Sequence, residues 1–248
     1  MKKITLFILV FACSFFSAQT ITVNTDLKYK VNLPVKKSDK TPVIIMLHGY
    51  GSNEEDLFDI SKSFDERFLT VSLRAPFAAE GQGYSWYKLD FLPQKQFKYD
   101  YKQVKESRAK ILAFISSFCK AYKADSTQVF LLGYSQGTIM AYEVALAKPE
   151  KIKGVVALSG LILDETKKIK FDAFKLANVK FFIGHGNMDN VIDFKKGEEA
   201  AKYLQSKKNN VIFKSYDMPH AMVGKELNDI KSWLKSNIEK EKKAEVKK

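Results

Sequence analysis

Val129-Phe130-Leu131-Leu132-Gly133-Tyr134-Ser135-Gln136-Gly137-Thr138 is the stretch that decides the fold. Residues 129–132 form an uninterrupted apolar run, the pattern of a strand buried on both faces. Residues 135–147 are rich in helix formers and stop at Lys148-Pro149. The join is Gly133-Tyr134-Ser135-Gln136-Gly137, a G-x-S-x-G pentapeptide. With glycine and serine each near 7%, about one chain in ten of this length would hold that pattern by chance. Its setting gives it weight. A chain turning so sharply from strand to helix puts the serine in a strained conformation at the carboxyl edge of a sheet, with glycines on both sides to allow close approach. The helix start also favours negative charge developing beside Ser135. Strand, helix and both glycines together favour a nucleophile over a plain serine-capped turn.

Similar apolar runs recur at residues 43–47, 68–73, 155–158, 179–183 and 211–213. Between them lie helical patterns. Val104, Ile111, Ile115, Phe118 and Tyr122 keep a three-to-four spacing, and residues 195–204 and 227–238 complete the set. Strands alternating with helices predict an α/β fold: a mostly parallel central sheet, helices on both faces and a single domain over residues 20–238. Residues 21–23 and 28–33 predict an edge hairpin about Asn24-Thr25-Asp26. The aromatic-rich segment 77–100 shows no period and is the candidate pocket wall. Cys119 reads as core, since no base-bearing motif surrounds it.

A serine hydroxyl needs a base, and the chain has 3 histidines. His48, His185 and His220 all follow strand patterns and so fall at the edge where Ser135 lies. With a nucleophile elbow the order is serine, acid, histidine, and only His220 follows both Ser135 and a well-placed acid, Asp189. Asp193 and Asp217 are alternatives, one further into its loop and the other on the same turn as His220. Oxyanion donors are expected from the Gln136 N–H and, where Gly49-Tyr50-Gly51 turns the backbone inward, the Tyr50 N–H. His48 and His185 read as anchors of their loops.

Lys2 and Lys3, the apolar run 4–16 and Ser17-Ala18-Gln19 read as a signal peptide over residues 1–18, and hence export. Val10-Phe11-Ala12-Cys13 also fits a loose lipobox, with Cys13 as a lipid anchor. The net charge is +13, with its densest lysine run in a basic tail at residues 239–248. Such charge suits an anionic surface or membrane, while no aromatic-interleaved patch points to nucleic acid.

Several pieces together resemble the bacterial carboxylesterase/phospholipase and acyl-protein thioesterase family of α/β hydrolases. They are Leu47-His48-Gly49-Tyr50-Gly51 with Asn53-Glu54, Arg74-Ala75-Pro76, Ser85-Trp86-Tyr87, the elbow, His185-Gly186 through Asp189 and Val191, and Pro219-His220. The resemblance implies the α/β-hydrolase fold and an esterase or thioesterase without metal or cofactor. It carries over Ser135, Asp189 and His220 as a triad, Tyr50 and Gln136 as oxyanion donors, and Trp86 and Tyr87 as pocket residues. Thr138 departs from it, standing where the family usually has a second glycine. A peptidase of the same fold, or a binding protein that kept the fold without the chemistry, are the alternatives.

Overall fold

The computed structural model describes residues 21–36, 38–93 and 96–245. The signal segment and Cys13 therefore lie outside the described residues. Strands β1 (Tyr29–Asn32), β2 (Val43–Leu47) and β3 (Leu69–Leu73) come first. Two small antiparallel pairs follow: β4 (Phe77–Ala78) with β5 (Tyr84–Ser85), and β6 (Leu89–Leu92) with β7 (Gln96–Tyr99). Then come α1 (Tyr101–Tyr122), β8 (Val129–Tyr134), α2 (Gln136–Ala147) and β9 (Gly154–Leu158). Short helices α3 (Asp164–Lys167) and α4 (Ala173–Ala177) lead to β10 (Lys180–Gly186), α5 (Phe194–Ser206), β11 (Asn210–Tyr216) and α6 (Gly224–Glu245).

A 7-stranded sheet runs β1-β3-β2-β8-β9-β10-β11, parallel throughout except for β1. From β2 the chain passes to β3 on one side, whereas β8 and its successors build the other. The carboxyl ends of β2 and β8 thus flank the point where strand order reverses, the place where such sheets bind ligands.

Alternate residues of each strand feed different cores. Val43, Ile45, Leu131, Val155 and Phe181 pack with α1, α2 and α5, while Ile44, Met46, Phe130, Val156 and Phe182 pack with Ile230, Trp233 and Leu234 of α6. Helix α2 is buried almost all round, with Gln136, Thr138 and Glu143 as the polar residues of an otherwise mostly apolar sequence. Asp100 caps α1 by accepting from the Lys102 and Gln103 amides, and Cys119 is buried there, its thiol pushed up to about 11 by that burial.

Three expectations change. Residues 21–23 form no strand: Val23 and Leu27 turn into the core, and β1 pairs with β3 instead of forming a hairpin. Segment 77–100 is two short strand pairs, each too brief to show a period. Helix α6 continues past residue 238 to Glu245, into the stretch read as tail.

At the elbow, Ser135 has φ +53° and ψ −117°, a region side-chain-bearing residues rarely adopt. Its N–H donates to Leu158 O at 2.9 Å. The turn closes only because two positions lack a side chain. A Cβ on Gly137 would lie 1.9 Å from Leu47 O, and one on Gly133 would lie 2.5 Å from the Gly137 carbonyl carbon. Thr138 then ties the elbow to β9. Its hydroxyl accepts from the Leu158 N–H at 2.9 Å and lies 2.7 Å from both Gly133 O and Leu158 O, to either of which its single proton can go. Gly160 makes room for it, since a Cβ there would sit 2.4 Å from Thr138 Cγ2. Replacing Thr138 by valine keeps the shape but strands the buried Leu158 N–H. Urea denaturation should show a loss of about 1–3 kcal/mol, and Thr138→Ser should recover most of it.

Candidate active site

Three chain segments bring Ser135, His220 and Asp189 together. Ser135 Oγ lies 2.9 Å from His220 Nε2, and His220 Nδ1 lies 2.7 Å from Asp189 Oδ2. For Nε2 to accept the serine proton, Nδ1 carries the other and donates it to the carboxylate. Asp189 Oδ1 accepts from the amides of Val191 and Ile192 at 2.8 and 2.9 Å, which fixes the carboxylate plane. Burial alone would raise this acid. Hydrogen bonds from His185, His220 and the Ile192 and Val191 amides outweigh it and hold Asp189 well below the usual carboxylate range. Asp193 instead caps α5, and Asp217 accepts from Asn187 Nδ2 at 2.6 Å. Neither reaches His220.

His185 is buried behind the acid, with Nε2 3.0 Å from Ile192 O and 3.3 Å from Asp189 Oδ2. It therefore anchors the acid loop. Tyr134, the residue before the nucleophile, donates its hydroxyl to His220 O at 2.9 Å. The sequence gives no signal for that tie, which spans the whole distance from elbow to base loop.

On the opposite side, the loop after β2 is held by its neighbours. His48 Nδ1 donates to Gly49 O at 2.7 Å and its Nε2 accepts from the Ala75 N–H at 3.0 Å. Burial lowers its basicity, in keeping with an Nε2 that accepts the Ala75 N–H. Arg74 makes a two-pronged pair with Glu54, both contacts at 2.5 Å, and lies over the Tyr84 ring. Gly49 is packed against the elbow, where a Cβ would stand 3.5 Å from Ser135 Cβ. Tyr50 follows, and its hydroxyl accepts from the Glu80 N–H at 3.1 Å. Gln136 opens α2, where first-turn amides have no intrahelical acceptor. Its side chain also grips the segment after β5, where Oε1 accepts from the Trp86 N–H and Nε2 donates to Tyr87 O, both at 2.9 Å.

Trp86 stands away from the cleft that sequence reasoning assigned it. It is wholly buried, and its indole N–H donates to His48 O at 2.9 Å, so it props the β2 loop from behind. Tyr87 does reach the cleft. That cleft is mostly apolar and runs from Tyr50, Ser135 and Gln136 past Leu89 and Tyr99 of the β6–β7 pair to Leu163. Segment 77–100 thus forms one wall. Leu161 and Leu163 form part of the other, and their loop has no motif by which to find it. A larger open depression around Asp65, Arg67, Lys231 and Lys235 shares no residue with the triad, and its Arg67–Asp65 pair at 2.6 Å is internally neutralised. Among the described residues no group of three His, Cys, Asp or Glu side chains could hold a metal ion.

Residues 30–238 match the profile of the phospholipase/carboxylesterase family. Acyl-protein thioesterase 1 of Cryptococcus neoformans is 26% identical, the alignment covering 85% of this chain and 97% of that protein. Among solved structures, a Bacillus cereus carboxylesterase superposes with a TM-score of 0.76 at 21% identity, over 86% of this chain and 96% of that one. Acyl-protein thioesterase 2 of Zea mays gives 0.71 at 21% identity, over 85% and 98%. These structural likenesses show the α/β-hydrolase fold. The profile goes further, for it takes in every strand of the sheet but the first residue of β1, and the chain belongs to the phospholipase/carboxylesterase family.

Proposed function

We propose that this serine hydrolase cleaves carboxylic esters through an acyl-enzyme on Ser135. The observation that carries the reading is the unbroken relay from Ser135 Oγ through His220 to Asp189, at 2.9 and 2.7 Å. In acylation Ser135 Oγ bonds to the ester carbonyl carbon as its proton passes to His220 Nε2. The carbonyl oxygen takes the negative charge, with the Gln136 and Tyr50 amides as its donors. Asp189 stabilises the imidazolium and stays ionised, as the hydrogen bonds converging on it favour. Collapse of the intermediate breaks the bond to the leaving alcohol or thiol, which takes the proton back from His220. Water then enters by the same route and releases the acid. The apolar lining from Tyr87 and Leu89 to Leu163 suits the acyl part of the substrate. Relatives named acyl-protein thioesterase and carboxylesterase support esters and thioesters of that kind.

Export belongs to the same proposal, supported by the charged start, apolar run and small residues of positions 1–19. The charge of +13 supports contact with an anionic surface.

Ser135→Ala should lower kcat for p-nitrophenyl acetate by about 10⁶ and abolish fluorophosphonate labelling, with the circular dichroism spectrum unchanged. Retained turnover by that variant rules the assignment out. Asp189→Asn should keep the geometry but favour the wrong imidazole tautomer, lowering kcat by about 10⁴ with a small change in KM. Among p-nitrophenyl esters, apolar acyl groups should give higher kcat/KM than charged ones of equal length, and Leu163→Asp should narrow that preference at least tenfold.

A further inference from the structure

Behind the triad lies a carboxyl group that this mechanism does not use. Glu226, in the first turn of α6, is fully buried, and neither of its oxygens completes a hydrogen bond among the described residues. It presses on the sheet where β10 offers no side chain: a Cβ on Gly184 would lie 2.1 Å from Glu226 Oε1 and 3.2 Å from Leu158 Cδ2 of β9. Gly184 stands on the strand that leads to Asp189. Helix α6 begins at Gly224, directly after the loop that carries His220. Glu226 therefore wedges between the element that delivers the acid and the one that follows the base.

The ionisable groups around it come from each packed element. Tyr134 of β8 lies within electrostatic reach of it and also holds His220 O through its hydroxyl. Tyr216 of β11 is within the same reach, but donates its hydroxyl to Asp229 Oδ2 at 2.9 Å. Asp229, further along α6, adds a like charge, and Lys214 directs its own charge to Asp229 at 2.9 Å, with Lys225 nearby. From β9 and β10, Leu158 and Gly184 approach it and carry no charge. Burial first, and then Asp229, push the Glu226 carboxyl up to about 8, and the Val223 amide is the one influence favouring the ionised form.

We propose that Glu226 is a positioning residue, whose neutral carboxyl seats the first turn of α6 against Gly184 and whose ionisation unseats that turn and draws His220 out of line with Ser135. The activity arm of the test rests on the function proposed above. The sign follows from linkage. The seated carboxyl resists ionisation while an unseated, solvated one has the ordinary value near 4.5. Unseating therefore becomes progressively easier as pH rises from about 4.5 to about 8, and levels off above it.

The experiment compares the wild-type protein with Glu226→Gln, which keeps the shape and removes the titration. Wild-type kcat/KM for p-nitrophenyl acetate should fall at least fivefold on the alkaline side, reversibly and with a midpoint no higher than about 8. The variant should lack that limb up to pH 9.5 while remaining active at pH 7. A second readout needs no substrate. Hydrogen-exchange protection of the amides of residues 227–230, which donate to the carbonyls of the first turn, corrected for intrinsic rate, should drop at least tenfold from pH 6 to 8 in the wild type and stay flat in the variant. If both proteins share the alkaline limb, or wild-type protection stays flat, the proposal is overturned. Absence of ester hydrolysis by either protein at pH 7 would count against the proposed function alone, and the exchange data would still decide the role of Glu226. Should the variant not fold, the wild-type exchange profile decides it.

Discussion

The backbone of Ser135, held at φ +53° and ψ −117°, is the constraint on which the other elements depend. A residue so placed costs about 1–3 kcal/mol and persists only where its surroundings over-determine it. Here they come from three strands at once. Leu158 of β9 accepts the Ser135 N–H, Thr138 binds the same strand end through its hydroxyl, and Gly137 lets α2 ride against the carbonyl of Leu47 at the end of β2. The parallel order of β2, β8 and β9 supplies those positions, and burial on both faces of the sheet keeps them fixed.

The side of the site that faces the oxyanion depends on the same turn. His48, Ala75, Trp86, Tyr87 and Gln136 are far apart in sequence, yet they form one buried polar network with every bond between 2.7 and 3.0 Å. Short motifs that look independent along the chain are its members. Gln136 joins them to the nucleophile. Its amide belongs to the elbow, while its side chain holds the backbone at residues 86–87, so the donor that would meet the oxyanion and the wall of the cleft are fixed by one residue. A partly satisfied network of this kind would cost more than an apolar one, which is why the polar groups here come matched.

What was legible in the sequence follows from how physical constraints project onto a line. Strands buried on both faces must be apolar without interruption, so residues 43–47 and 129–132 announced themselves, and the mostly parallel sheet with helices on both faces followed. Ser135 stood out because its turn demands two glycines. His220 was reached because only 3 histidines exist and chain order excluded two. Contacts across the fold leave no such trace. Thr138 was legible only as a departure, because the glycine that compensates it, Gly160, lies in another loop. Trp86 was misplaced because a large aromatic next to a site serves equally well as lining or as support. The β6–β7 pair, at four residues a strand, falls below the length at which alternation can be seen.

The two halves of the site differ in how firmly they are built. Ser135 and Gln136 sit at the junction of a central strand and a buried helix, where any shift would disturb β2 and β9 as well. His220 sits in the short connection between β11, at the edge of the sheet, and α6. Its side chain is held by Asp189 at 2.7 Å and Ser135 at 2.9 Å, and its backbone by the Tyr134 hydroxyl at 2.9 Å. Asp189, by contrast, is fixed by two amides of its own loop. Of the two side-chain bonds of His220, the one to Ser135 is the one that must change partner during each turnover. A strained, rigid nucleophile can be served by a movable base, because the proton donor and acceptor need align only when the ester is bound. The same arrangement leaves the base loop as the place where a change in the α6 packing is first felt.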